Sequence, residues 1–216
     1  GKVIKKEYEN VLIAVGRVPN SKNIGLENAG IETDERGFIK VNGKCETNVT
    51  GIYAIGDVAG DPLLAHKASH QGRACVEVIH GGKNEFDPKA IPAVVFTDPE
   101  IAWTGLTENE AKAKELDFKF CKFPWAASGR ALTLDRTDGL TKILVDNKTE
   151  RIIGIGIAGY GAGELIGEAT LAIEMGANVE DLGMTIHPHP TLSETLMESA
   201  DIFNGTATSI YRPKRK

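Results

Sequence analysis

Apolar positions along the chain follow two regimes that change over near residue 90. In the first, short continuous apolar runs alternate with turn clusters. Val11, Leu12, Ile13 and Val15 make residues 9–15 read as a buried strand, closed by the turn cluster Gly16-Arg17-Val18-Pro19-Asn20. Gly37 and Asn42-Gly43 punctuate Phe38-Ile39-Lys40-Val41, which predicts a short hairpin region within 31–49. Gly51-Ile52-Tyr53-Ala54-Ile55-Gly56-Asp57 predicts a second buried strand that ends on a carboxylate. A helix follows over residues 64–79, and His80-Gly81-Gly82 stops it.

Residues 83–92 are polar and carry Pro88 and Pro92, which marks a candidate domain boundary. Beyond it the pattern changes. Val94-Val95-Phe96 and Ile101-Ala102-Trp103 read as short strands, and residues 107–116 as a helix opened by a capping box of Thr107 with Glu110. Residues 118–123, 140–145 and 152–158 alternate with the period of an antiparallel sheet. Residues 163–175 form an apolar helix, Asn178 caps another, and Thr191 caps a last one reaching Phe203. A run of strands followed by a run of helices indicates an α+β layer rather than a βαβ array. The 163–175 helix carries Leu165, Ile166, Leu171 and Ile173, more apolar surface than one small sheet buries. A partner copy across a two-fold axis is therefore expected for residues 91–216.

Composition narrows the classes. At 216 residues the chain is long enough for one large domain or two modest ones. A net charge of −5 argues against nucleic acid as a partner. Cys45, Cys75 and Cys121 lie too far apart for a CxxC or CxxxxC redox pair or a zinc knuckle, and such sparse usage suits a reducing compartment. No apolar run approaches ~18 residues and no signal peptide opens the chain, so it reads as soluble and intracellular, away from any membrane. In that setting the Asn-x-Thr triplets at Asn48, Asn147 and Asn204 carry no glycosylation weight. The opening residues run almost at once into an apolar stretch and read as the middle of a fold. The basic end, Pro213-Lys214-Arg215-Lys216, reads as a solvated terminus.

Four motifs could carry chemistry. Gly154-Ile155-Gly156-Ile157-Ala158-Gly159 matches GxGxxG, but no second parallel strand ending in an acidic residue follows it. Its glycines read instead as positions that let a helix pack closely. His66 and His70 share a helix face at a metal-friendly spacing, yet no third ligand is near, so no metal site is expected. Asp57 stands at the mouth of a sheet, where it could accept hydrogen bonds from ligand hydroxyls or merely cap its loop. The backbone at Leu64 and Ala65 begins a helix, an end suited to an anion or an electron-rich ring. In His187-Pro188-His189-Pro190-Thr191-Leu192-Ser193-Glu194 the prolines hold both histidines in extended backbone outside any helix. Glu194 could be a cap for the helix that follows, or it could reach back and orient His189 as a base.

Three segments together, and in this order, resemble one family over nearly the whole chain. They are Ala14-Val15-Gly16-Arg17-Val18-Pro19-Asn20, Ile52-Tyr53-Ala54-Ile55-Gly56-Asp57 with Leu63-Leu64-Ala65-His66, and the His-Pro run through Glu194. Their spacing resembles the C-terminal half of the dihydrolipoamide dehydrogenases, pyridine nucleotide-disulfide oxidoreductases of class I. The resemblance implies that residues 1–19 end an NAD-binding domain, residues 20–90 end an FAD-binding domain, and residues 91–216 form an interface domain that builds a homodimer. It implies that Ala14, Val15, Gly16 and Arg17 line the nicotinamide cofactor. Asp57 would hold the ribityl chain of FAD, and the backbone at Leu64 and Ala65 would face the flavin. His189 would be the base and Glu194 its orienting partner, acting on the dithiol at the opposite subunit's flavin. His187 would be a neighbour and not the base. The implied reaction oxidises dihydrolipoamide through an active-site disulfide and FAD and passes hydride to NAD+, in the service of a 2-oxo-acid dehydrogenase complex. The implied location is the cytoplasm, or the mitochondrial matrix in a eukaryote.

Departures from the pattern matter too. The family's FAD fingerprint, its CxxxxC disulfide and its NAD-binding GxGxxG are not in this chain, so neither cofactor is expected on it alone. Two alternatives follow: a non-catalytic dimerisation fragment, and a glutathione-reductase-like disulfide reductase. Glutathione and trypanothione reductases typically lack the first histidine and the Leu-Ser-Glu ending. Mercuric reductases and soluble transhydrogenases usually lack the His-Pro step.

Overall fold

The computed structural model describes residues 2–210, so the basic end at 213–216 lies outside the described residues. The chain divides into two compact units, residues 1–87 and 88–216. In the first unit the longest element is α2 (Ala65–Ile79), preceded by a single helical turn, α1 (Leu26–Ala29), and a 3-10 turn at Gly56–Ala59. The hairpin region is present in abbreviated form. Thr33 bridges Ile39 across a turn in which the Asp34 carboxylate accepts from the N–H groups of Arg36 and Phe38. Glu46 bridges Tyr53 in the same antiparallel sense.

Both strands expected in this unit need correction. Residues 9–15 form no strand; Val11, Leu12, Ile13 and Val15 are 76–92% exposed. A strand exists only as part of a ladder, and no described segment pairs with this one. The second run, at 52–55, contributes one bridge through Tyr53, with Ala54 N–H donating to the Cys45 carbonyl at 3.0 Å. What holds Gly56 is side-chain bonding from α2. Gln71 Oε1 accepts from Gly56 N–H at 2.8 Å, and the buried Lys67 ammonium donates to the carbonyls of Gly56 and Gly60.

The second unit is an α+β layer. Its antiparallel sheet runs β1 (Ala93–Val95), β2 (Glu100–Gly105), β5 (Ile152–Gly159), β4 (Leu140–Asp146), β3 (Phe118–Pro124) from edge to edge. Between the strands lie α3 (Glu108–Ala113) and α4 (Gly129–Thr133); after them come α5 (Ala162–Glu174), α6 (Val179–Met184) and α7 (Glu194–Asn204). Period-two alternation turns Ala102, Phe123, Ile143, Val145, Ile155 and Ile157 to one face, where α5 and α7 cover them with Ile166, Ala169, Ile173, Leu196 and Ala200. The capping boxes of Thr107 with Glu110 and of Asn178 with Asp181 are both closed. Thr191 is not a cap. Its hydroxyl donates to the Pro188 carbonyl, so the helix begins two residues on with Ser193 at the N-cap. Of the four apolar residues expected to face a partner from α5, Ile166 and Ile173 belong to the core and Leu165 packs against it, leaving Leu171 62% exposed.

The GxGxxG run is strand β5, and protein atoms fill the space a phosphate would need. A Cβ on Gly154 would overlap the Leu106 carbonyl, and one on Gly159 would overlap the Trp125 ring at a φ of 153°. The close neighbours are a loop backbone and an indole, not the helix expected from sequence. Gly156 has open space instead. Gly154→Ala should therefore lower the unfolding free energy by about 1–3 kcal/mol through overpacking, and Gly156→Ala by under about 0.5 kcal/mol. Denaturant titration of the two variants checks this; equal effects would contradict the packing account.

Candidate active site: the His189–Glu194 pair

The segment between α6 and α7 has no regular structure, and its two histidines differ sharply in exposure. The His187 side chain is buried, 4% exposed, whereas the His189 ring is 77% exposed. The His189–Pro190 peptide bond is cis. Glu194, the first residue of α7, uses both carboxylate oxygens. Oε2 accepts from the Thr191 N–H at 2.7 Å, and Oε1 lies 2.9 Å from His189 Nδ1. One side chain thus bonds both the Thr191 N–H and the His189 ring.

A carboxylate only accepts, so the proton in the His189–Glu194 bond sits on Nδ1. The neutral ring then carries its lone pair on Nε2, which has no hydrogen-bond partner among the described residues. Burial opposes ionisation of Glu194, but the bonds from Thr191 and His189 and the charges of His189 and His187 outweigh it and hold its carboxyl below the usual carboxylate range. His189 and Glu194 line one pocket with Phe123, Ser128, Gly129 and Glu198. An ionised carboxylate fixed beside one nitrogen of an accessible imidazole makes the other nitrogen a proton acceptor.

The helix under this pair is tied to the sheet by a chain of buried hydroxyls. Trp125 Nε1 donates to Thr141 Oγ1 at 3.0 Å, Thr141 Oγ1 to Thr195 Oγ1 at 2.8 Å, and Thr195 Oγ1 bonds the Leu192 carbonyl at 2.7 Å. Thr141 and Thr195 carry no sequence signal, being single hydroxyls in an apolar strand and helix. Glu168, whose Oε1 lies 2.6 Å from His187 Nε2, was equally invisible, because its partner is 19 residues away.

In the first unit, the predicted cofactor residues are brought together only in part. Arg17 Nη1 lies 3.5 Å from Asp57 Oδ2, and its Nη2 donates to the Leu63 carbonyl. Ala14, Val15 and Gly16 lie in the exposed irregular segment. Leu64 is extended and gives α2 no side-chain cap, so its first N–H groups, at Ala65 onward, begin a bare helix end. Lys67 was missed. Burial holds its ammonium below the usual lysine range, against the pull of Asp57 and Asp61. Among the described residues no three His, Cys, Asp or Glu side chains cluster as a metal site, and no helix is long and apolar enough to cross a membrane.

The layered α+β unit has the fold of a disulfide oxidoreductase dimerisation domain. Residues 91–200 match the family model described as pyridine nucleotide-disulphide oxidoreductase, dimerisation domain, and residues 2–72 match the pyridine nucleotide-disulphide oxidoreductase model. The chain belongs to the pyridine nucleotide-disulphide oxidoreductase family. It is 52% identical to the dihydrolipoyl dehydrogenase of Vibrio cholerae, over 98% of this chain and 44% of that protein. It is 48% identical to that of Bacillus subtilis over the same shares. Among solved structures, LpdA from Mycobacterium tuberculosis superposes with a TM-score of 0.82 at 30% identity, covering 89% of this chain and 42% of that one. The HOCl-induced flavoprotein disulfide reductase RclA from Escherichia coli gives 0.81 at 31% identity, covering 88% and 44%. The chain spans 44% of the length of these curated relatives.

Because the Glu194 carboxyl is depressed in the folded state, the stability it adds is fully present above its unfolded pKa of ~4.3. That contribution is lost as pH falls through the lower native value. Glu194→Ala should cost about 1 kcal/mol at pH 7 from the lost hydrogen bond to the Thr191 N–H. The gap to the parent should close in acid. Unfolding curves at neutral pH and at pH 3 check this, and a gap independent of pH would contradict it.

Proposed function

We propose that this chain is the C-terminal part of a dihydrolipoyl dehydrogenase and supplies the base of its dithiol half-reaction. The reading divides it into residues 1–19 of an NAD-binding domain, 20–90 of an FAD-binding domain and 91–216 of the interface domain. The observation that carries it is the His189–Glu194 bond with Nε2 left accessible. Relatives at about half identity across nearly the whole chain support the choice of substrate over that of a glutathione-reductase-like enzyme.

The chemistry follows from the pair. A dihydrolipoamide thiol ionises above neutral pH, so it must lose its proton to react quickly as a nucleophile. Nε2 of His189 takes that proton, and Glu194 stabilises the imidazolium through Nδ1. The thiolate attacks a disulfide sulfur, and a second displacement by the other substrate thiol releases lipoamide as the disulfide is reduced to a dithiol. His189 passes the first proton to the enzyme thiolate released, then takes the second substrate thiol's proton and passes it to the other, so both protons end on the reduced pair. The residues present fit a flavin on one side: Asp57 would offer carboxylate oxygens to ribityl hydroxyls, and the uncapped start of α2 at Ala65 would offer an N–H to the ring, the Leu64 N–H being taken by the Pro62 carbonyl at 3.0 Å. Bound FAD supplies the two-electron carrier that passes reducing equivalents from the dithiol to NAD+. Arg17, with Ala14, Val15 and Gly16, belongs on the nicotinamide side in this reading. The setting is a cytoplasmic or matrix 2-oxo-acid dehydrogenase complex.

Dimerisation completes the site, because the base acts on the opposite subunit's flavin and dithiol. Leu171 on α5, Met175 at its C-cap and Ile186 beside His187 are 62–95% exposed and are the apolar side chains offered to a partner. Leu171→Asp should convert the dimer to a monomer in light scattering; a dimer unchanged by it would move the interface elsewhere. In the full-length enzyme, His189→Gln should keep the flavin spectrum and slow dithiol oxidation by roughly 10²–10⁴-fold. Undiminished turnover would remove His189 from the mechanism.

A further inference from the structure

His187 is the part of the motif that the base mechanism leaves unused. Its ring is buried, and both nitrogens face oxygen. Nδ1 lies 2.8 Å from the Thr185 carbonyl and Nε2 lies 2.6 Å from Glu168 Oε1. A carbonyl only accepts, so Nδ1 carries a proton. The short Nε2 contact holds another between ring and carboxyl. No lone pair remains for a substrate proton, which separates His187 from His189 chemically. The pair also crosses elements, since Glu168 stands in the middle of α5 and His187 in the loop after α6.

We propose that Glu168 and His187 are positioning residues that clamp the base loop to α5 and so fix where His189 presents Nε2. The proposal rests on the reading of His189 as the base. Only Pro188 separates the two histidines. Its ring locks φ, and each histidine precedes a proline and is confined to extended backbone. A ring pinned at His187 therefore sets the Cα of His189 with few free torsions between. Glu194 then sets the His189 ring from the other side, through α7. The base is held by two carboxylates on two helices. One acts directly on its ring and the other acts through the backbone.

The test uses the full-length homodimeric enzyme with Glu168→Ala, Glu168→Gln and His187→Asn. Two reactions are read in each: dihydrolipoamide oxidation with NAD+, and NADH oxidation by ferricyanide, which draws electrons from the flavin without needing the base. Glu168→Ala should lower kcat for the dithiol by about 10-fold with KM changed less than about 2-fold, the signature of a misplaced catalytic group. His187→Asn keeps the donor toward Thr185 but cannot reach Glu168, and should lose about as much. Glu168→Gln can still bond the ring and should stay near the parent. Ferricyanide reduction should be unchanged throughout. Dithiol turnover at the parent rate in both Glu168→Ala and His187→Asn would overturn the proposal, and so would a parallel fall of both reactions in both. Loss in Glu168→Gln equal to that in Glu168→Ala would overturn it as well. His189→Gln separates the levels: if it too turns over dithiol normally, the base reading has failed. If it is slow while Glu168→Ala is fast, only the clamp has.

Discussion

The site stands on a buried line of hydrogen bonds that starts at Trp125. The indole is fully buried, and its one polar atom reaches Thr141 in the sheet, which reaches Thr195 in the first turn of α7. Buried polar groups are stabilising only when every member is bonded, and here each hydroxyl passes its hydrogen to the next acceptor until the Leu192 carbonyl ends the line. That line fixes α7 against β4 at the residue following Glu194. It is possible only because Gly159 in β5 leaves the indole room to lie against the strand. The glycine that imitates a phosphate-binding fingerprint is thus a condition for placing the base.

From that anchor the two histidines acquire opposite roles with one chemistry. Each ring has a carboxylate on one nitrogen. His187 is sealed by a carbonyl on the other, while His189 opens onto solvent. Burial and hydrogen-bond count therefore suit the first to a structural role, and the open nitrogen suits the second to the base role proposed for it. In the first unit, the start of α2 has no side-chain cap, and the Asp57 carboxylate lies 3.5 Å from Arg17 Nη1. The Gly56 segment there is braced by Gln71 and Lys67 from beneath.

Much of the second unit was legible from sequence because its elements satisfy themselves locally. Period-two alternation marked β3, β4 and β5, and the capping boxes at Thr107 and Asn178 marked where α3 and α6 begin. The irregular backbone of the His-Pro run was legible because prolines restrict backbone wherever they occur. Residues 9–15 misled for the opposite reason: apolarity signals a demand for partners and says nothing of whether a ladder is present. Thr191 misled because its hydroxyl had a nearer acceptor in the Pro188 carbonyl. The Glu168–His187 bond and the Trp125–Thr141–Thr195 line join residues 16–54 positions apart and leave no periodic trace.

The proposed base role of His189 depends on which of its nitrogens carries the proton. Selective 15N labelling of histidine in the full-length homodimer, read at pH 8 with His189→Gln to assign the signal, measures it directly. The Nδ1–H tautomer is expected, with an unprotonated Nε2 and an Nδ1 proton shifted downfield by its bond to Glu194. An Nε2–H tautomer, or an Nδ1 signal that Glu194→Gln leaves unmoved, would contradict that role.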